Sequence, residues 1–150
     1  MKVLSVKQPW AWATAKGYKT IENRSRATSH RGPLAIHSSA RWDQPELHWL
    51  KHVVRTARGL GYTLPAYLKD DKPYCDTGFV LAVVDVVDVC TVSRDDHLAD
   101  CECGPWANVG ETHWKLANAR LLAEPIPAKG RLGLWDLDIP ELAVGGGTDG

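Results

Sequence analysis

Lys19, Glu22 and Arg24 place an ammonium, a carboxylate and a guanidinium in one short stretch just after Gly17. A guanidinium presents a rigid fork of donors to phosphates and base edges, and a carboxylate accepts from the amino groups of bases. In an extended strand Glu22 and Arg24 share a face while Lys19 faces away. The three converge only if Lys19 still belongs to the preceding turn or a bulge intervenes. Gln8-Pro9-Trp10 stands just upstream and reads as a helix start, where unpaired backbone donors suit an anion. Trp10 adds an aromatic face on which a base could stack. The plainer alternative for the charged trio is a surface ion-pair cluster of little energetic weight.

Two further groups carry chemistry. Asp85 interrupts the apolar run from Phe79 to Cys90, and a carboxylate in such a strand needs a partner or a proton. Lys19 as that partner makes Asp85 functional; a backbone donor or a sheet edge makes it structural. Cys101-x-Cys103, with Cys90 and His97 nearby, has the ligand types of a zinc centre. Structural zinc sites use pairs separated by two to four residues, and four ligands are reached here only if Cys90 and His97 both converge. The cysteines are therefore expected to be reduced loop thiols, with no metal bound. No Ser/His/Asp spacing supports nucleophilic catalysis. No Gly-rich phosphate loop or dinucleotide fingerprint appears either, so no cofactor is expected.

The elements that must position these groups belong to an ordinary globular composition: 150 residues, 44% hydrophobic and 24% charged. That excludes a collagen-like, coiled-coil or wholly disordered chain. No apolar run approaches the ~20 residues of a membrane span. Met1 to Gln8 lacks the apolar stretch of a secretory signal, which makes the cytoplasm the expected compartment. The 18 basic and 18 acidic residues cancel overall but are unevenly placed. Residues 1–60 carry 11 Lys and Arg against 3 Asp and Glu, whereas residues 61–150 carry 7 against 15. Such asymmetry favours a polyanionic partner, unless the two halves simply pair with each other.

Along the chain, Lys2 to Val6 reads as a first strand and Pro9 to Lys16 as a short helix closed by Gly17. Lys19 to Arg24 is extended, Ser25 to Arg31 is a basic loop, and Leu34 to His37 is a strand. Pro45 opens a second helix that Gly59 ends, with Leu47, Leu50, Val54 and Ala57 as its apolar stripe. His48, Lys51, His52, Arg55 and Arg58 form a separate basic stripe on it. Leu60 to Asp76 is a long connection, Phe79 to Cys90 a central strand apolar on both faces, and Thr91 to Val109 mainly loop. Thr112 to Leu122 and Leu132 to Asp138 are the last strands. One domain over residues 1–140 is expected, followed by a mobile glycine-rich tail over 141–150. Of seven tryptophans, Trp114 and Trp135 belong to the core, while Trp42, Trp49 and Trp106 sit in polar surroundings.

Three ordered segments now carry a resemblance: Leu4 to Ala11, Gly17 to Arg24 and Arg31 to His37. With His113-Trp114-Lys115-Leu116, Pro125-Ile126-Pro127 and Lys129 to Trp135 they resemble the ASCH domain family over residues 3–138. The resemblance implies an α+β, PUA-like fold, a small mixed β-barrel with flanking helices, whose relatives mostly bind RNA or modified bases. It implies a cleft between barrel and first helix lined by Lys19, Glu22 and Arg24 and bordered by Gln8 and Trp10. Some small relatives are amidohydrolases that deacetylate an acylated cytidine, using a lysine, a threonine three residues later and a downstream carboxylate. Lys19 matches that lysine, Glu22 stands where the threonine would be, and Asp85 is the best match for the carboxylate.

The expected function is accordingly nucleic-acid binding, to RNA or a single-stranded substrate. Gln8, Trp10, Lys19, Glu22 and Arg24 would line a base-sized cleft, and Arg26, Arg31, Lys51 and Arg55 would contact phosphates. The rival is a small hydrolase acting on a modified nucleoside, or a ribonuclease, with Lys19, Glu22 and Asp85 as its catalytic residues. A module that binds other proteins through the tryptophan-rich surface is a third expectation.

Overall fold

The computed structural model describes residues 1–65, 77–96 and 101–140. Strand β1 (Lys2–Gln8) is followed by helix α1 (Trp10–Ala15), strands β2 (Ile21–Arg24) and β3 (Gly32–Trp42), and helix α2 (Glu46–Gly59). Strand β4 (Phe79–Cys90), the short helix α3 (Val92–Asp95), and strands β5 (Thr112–Pro127) and β6 (Leu134–Asp136) complete the order. The tail over 141–150 lies outside the described residues.

The six strands form one mixed sheet in the order β2-β5-β4-β3-β1-β6. β1 runs parallel to β3, and the remaining pairs are antiparallel. This corrects the expectation of a barrel, because the sheet is open and β2 and β6 are its edges. Closure requires the two edges to share a ladder. Edges of four and three residues have little backbone to share.

β4 lies in the interior, as its double-sided apolar pattern dictates, with Val80 to Val84 buried. Around it Leu4, Leu34, Ile36, Leu81, Val84 and Leu116 pack on one side, and Val3, Ala35, Val80, Val83 and Trp135 on the other. A third cluster joins Trp12, Tyr18 and Ile21 to Val53 and Ala57 of α2. α2 therefore docks through Val53 and Ala57, with Leu50 and Val54 half-buried. Leu47, expected on that stripe, is 61% exposed because it precedes the turn that meets the body of the protein.

Candidate functional site

Gly17 sets the geometry of the charged trio. Its φ of +77° ends α1 in the left-handed region that glycine adopts without strain. The chain then folds back, so that the N–H groups of Tyr18 and Lys19 both donate to the Ala13 carbonyl at 3.0 Å. Lys19 thus sits in the turn, ahead of β2, and its side chain escapes strand alternation. Its Nζ donates to the Ile21 carbonyl and lies 3.6 Å from Glu22 Oε2. Glu22 Oε1 in turn lies 3.4 Å from Arg24 Nη1. The Lys19 and Glu22 side chains are only 4% and 8% exposed, which makes them a buried ion pair, whereas Arg24 reaches solvent at 31%. Burial lowers the Lys19 pKa below 10.5, against the opposing pull of the Glu22 carboxylate.

These groups line a cavity of about 990 Å³, at the upper end of the roughly 300–1,000 Å³ typical of small-molecule sites. One wall is aromatic. Trp10 places its ring 5.8 Å from Lys19 Nζ and 5.4 Å from the Trp49 ring, and its Nε1 donates to Asp43 Oδ2 at 3.0 Å. His52 lies beside both tryptophans and 6.4 Å from Trp106. Its pKa is lowered from 6.5, first by partial burial and then by His48 and Arg55. An adjoining wall comes from the loop before β5: Asn23 donates to the Trp106 carbonyl at 2.9 Å and accepts from the Asn108 N–H at 2.8 Å.

The rim is cationic. Lys7, Lys19, Arg24, Lys129 and Arg131 line the cavity against the carboxylates of Glu22, Asp43 and Glu111. The 129–131 segment is held by His37, a buried histidine whose Nε2 bonds the Ala128 carbonyl at 2.7 Å and whose Nδ1 bonds Ser5 Oγ at 3.1 Å. Any Cβ at Gly130 would lie 2.9 Å from the His37 ring, so only glycine permits this approach.

Trp10, Lys19, Glu22 and Arg24 therefore come together, while other expected site residues do not. Gln8 is fully buried and absent from the lining; its Oε1 accepts from the Trp12 N–H at 2.8 Å. That bond occupies one of the helix-start donors that were expected to face an anion. Arg26 and Arg31 are exposed outside the cavity, and Arg31 is folded onto the Thr28 and His30 carbonyls. Lys51 and Arg55 are exposed and absent from the lining, although Arg55 stands three residues after the lining residue His52, on a neighbouring face of the helix. Asp85, expected as a partner of Lys19, is also outside the cavity. It is held by Arg120 at 3.1 Å and Asn118 at 3.0 Å. Its partners come from β5, the neighbouring strand, so it is accounted for structurally.

Asn23, Trp49, His52, Trp106 and Asn108 were missed as site residues. The polar surroundings of Trp49 and Trp106 were the available signal. Their convergence required knowing that α2 and the loop before β5 face the same hollow.

The ASCH domain family matches residues 4–126. Over 86 residues the chain is 38% identical to the human protein Activating signal cointegrator 1 and 36% identical to the mouse protein of that name. Those alignments cover 57% of this chain but only 14% of either relative, so the chain spans a small part of the curated proteins it matches. With most of β1, the Gly17–Arg24 segment, β3 and β4 inside the matched region, the chain belongs to the ASCH domain family, which is associated with RNA and other nucleic-acid binding.

Proposed function

We propose that this protein binds single-stranded nucleic acid, RNA above all, and holds one base in the cavity around Lys19, Glu22 and Arg24. The observation that carries this is the buried Lys19–Glu22 pair opening, through the more exposed Arg24, onto a hollow of about 990 Å³ walled by Trp10, ample for a base and its sugar. Arg24 and Glu22 supply donor and acceptor to a base edge, and Trp10 supplies a stacking face. Lys7, Lys129 and Arg131 on the rim attract the flanking phosphates. Lys51 and Arg55, together with Arg26 and Arg31, lie outside the cavity and contact only strands long enough to leave it. Membership in the ASCH domain family supports the reading.

The test is a titration of the tryptophan fluorescence with short single-stranded RNA and DNA at two salt concentrations. Affinity should fall with salt by a slope of about 0.7 per phosphate contacted. No binding to either polymer rejects the reading, and binding that ignores salt rejects its phosphate part.

One observation favours a second reading, that of a hydrolase acting on a modified nucleoside. Lys19 is buried with a lowered pKa against a carboxylate, as a proton-transfer pair requires. Glu22 rather than a hydroxyl then does the acid–base work, with water as the nucleophile. Turnover of an acylated cytidine that is lost in Lys19→Ala supports this reading, and an inert wild-type protein ends it.

A further inference from the structure

Cys90, Cys101, Cys103 and His113 bring three sulfur atoms and one imidazole nitrogen within 4.8 Å of one another. The set differs from the one the sequence offered. His97 lies outside the described residues, and among those described the imidazole is that of His113. Two features of the fold create it. Cys90 ends β4 and His113 begins β5, and the two are direct partners in the antiparallel ladder. Cys101 and Cys103 belong to the loop that leads into β5, which returns over that corner. Cys101 Sγ lies 3.2 Å from His113 Nδ1.

The histidine is poised for ligation. His113 is 1% exposed, and its Nε2 bonds the Asn108 carbonyl at 2.6 Å. A carbonyl only accepts, so Nε2 carries the proton in the neutral ring and Nδ1 turns a lone pair toward the sulfurs. A backbone carbonyl behind the distal nitrogen is the usual outer partner of a metal-bound histidine. The three cysteines are free thiols, half-buried, and the four-residue set contains no carboxylate that would favour a harder ion.

We infer that Cys90, Cys101, Cys103 and His113 form a structural zinc centre. Zinc takes sulfur at about 2.3 Å and nitrogen at about 2.0–2.1 Å in a tetrahedron, so each ligand moves by less than about 1 Å to close on the ion. Binding is not a redox step. Three thiols release their protons to solvent, the histidine stays neutral, and Zn²⁺ with three thiolates leaves a net charge of −1. Four protein ligands leave no open position, so the role is to fasten the loop. That loop supplies Trp106, Asn108 and Glu111 to the cavity wall, and His113 bonds the Asn108 backbone directly. The ion would therefore fix one wall of the cavity, whatever the cavity binds.

Metal analysis of the purified full chain tests this, and it is independent of nucleic-acid binding. One zinc per chain is expected, with Cys90, Cys101 and Cys103 shielded from a thiol reagent until a strong chelator is added. Cobalt added to metal-free protein should give the absorption of a tetrahedral thiolate site. Cys101→Ser and Cys103→Ser should each weaken zinc affinity by about a hundredfold or more, exceeding the roughly 10–100-fold typical of an outer-shell change. If those variants fail to fold, the wild-type stoichiometry and thiol shielding still decide. Wild-type protein that neither carries nor takes up zinc, or that holds a disulfide among the three cysteines, overturns the assignment.

Discussion

Two carboxylate–guanidinium pairs sit on the same sheet and differ in everything but their chemistry. Asp85 and Arg120 meet at 3.1 Å across β4 and β5, and both side chains are about a quarter exposed. Glu22 and Arg24 meet at a looser 3.4 Å along β2, yet Glu22 is 8% exposed and has the buried Lys19 as a second cation. The shorter pair lies outside the cavity of about 990 Å³; the looser one opens onto it. A short contact between exposed charges contributes little, since water solvates each partner almost as well. What distinguishes the β2 cluster is a desolvated charge beside a concavity, where a ligand can replace water as the partner.

The sharpest way to break this contrast is to remove one carboxylate from each pair. Glu22→Gln leaves the Lys19 ammonium buried without its counter-charge and should cost about 3–5 kcal/mol of stability. Asp85→Asn should cost about 1 kcal/mol or less, and denaturant unfolding of both variants measures the difference. The pH dependence adds a sign. Lys19 holds its proton less tightly folded than unfolded, so the unfolded chain binds more protons between the lowered value and 10.5. Stability attributable to Lys19 therefore rises with pH across that window. The gap between wild type and Glu22→Gln should narrow as pH climbs toward 10.5, and a gap independent of pH would mean that Lys19 is not the stranded charge.

Next in size is the aromatic wall. Trp10→Ala should weaken binding of single-stranded RNA by about 1–3 kcal/mol, with Trp10→Phe recovering most of the loss. Asp85→Asn should bind as wild type does. Equal losses in the two variants, read by fluorescence anisotropy of labelled RNA, would erase the distinction between the regions. Smaller again is the rim: Lys129→Ala and Arg131→Ala should each flatten the salt slope by about 0.7. A Lys51→Ala, Arg55→Ala double variant should change binding of long strands while leaving that of a mononucleotide unaltered. The smallest effect belongs to His52. Its pKa is lowered from 6.5, so it gains a proton, and the cavity a positive charge, only when pH falls below that value. Binding of an anionic strand should tighten a few-fold there, and His52→Gln should abolish that part of the pH profile.

Much of the positioning was legible from local chemistry. Gly17 ending α1 and the double-sided apolar run of β4 follow from backbone sterics and burial, and both stand where their residues predict. The convergence of Lys19 with Glu22 and Arg24 was conditional on Lys19 remaining in the turn, a condition that the Ala13 carbonyl satisfies. Gln8 was misread because a glutamine beside a helix start serves equally well as ligand contact or as acceptor for the helix's own N–H. Here it takes the Trp12 donor. Asp85 was unreadable for a similar reason: its partners, Asn118 and Arg120, lie more than thirty residues away on the adjoining strand.

Composition, residue order and short-range sterics alone determined an α+β domain, an early charged trio, a basic helix face and a buried central strand. These depend on interactions between residues a few positions apart, which the local pattern specifies. Only the tertiary structure decided that the sheet stays open, that Trp49, His52 and Trp106 join Trp10 around one hollow, and that His113 meets the cysteines. Each of those outcomes turns on strand register and loop return over long separations, where a shift of one residue would send the side chain to the other face.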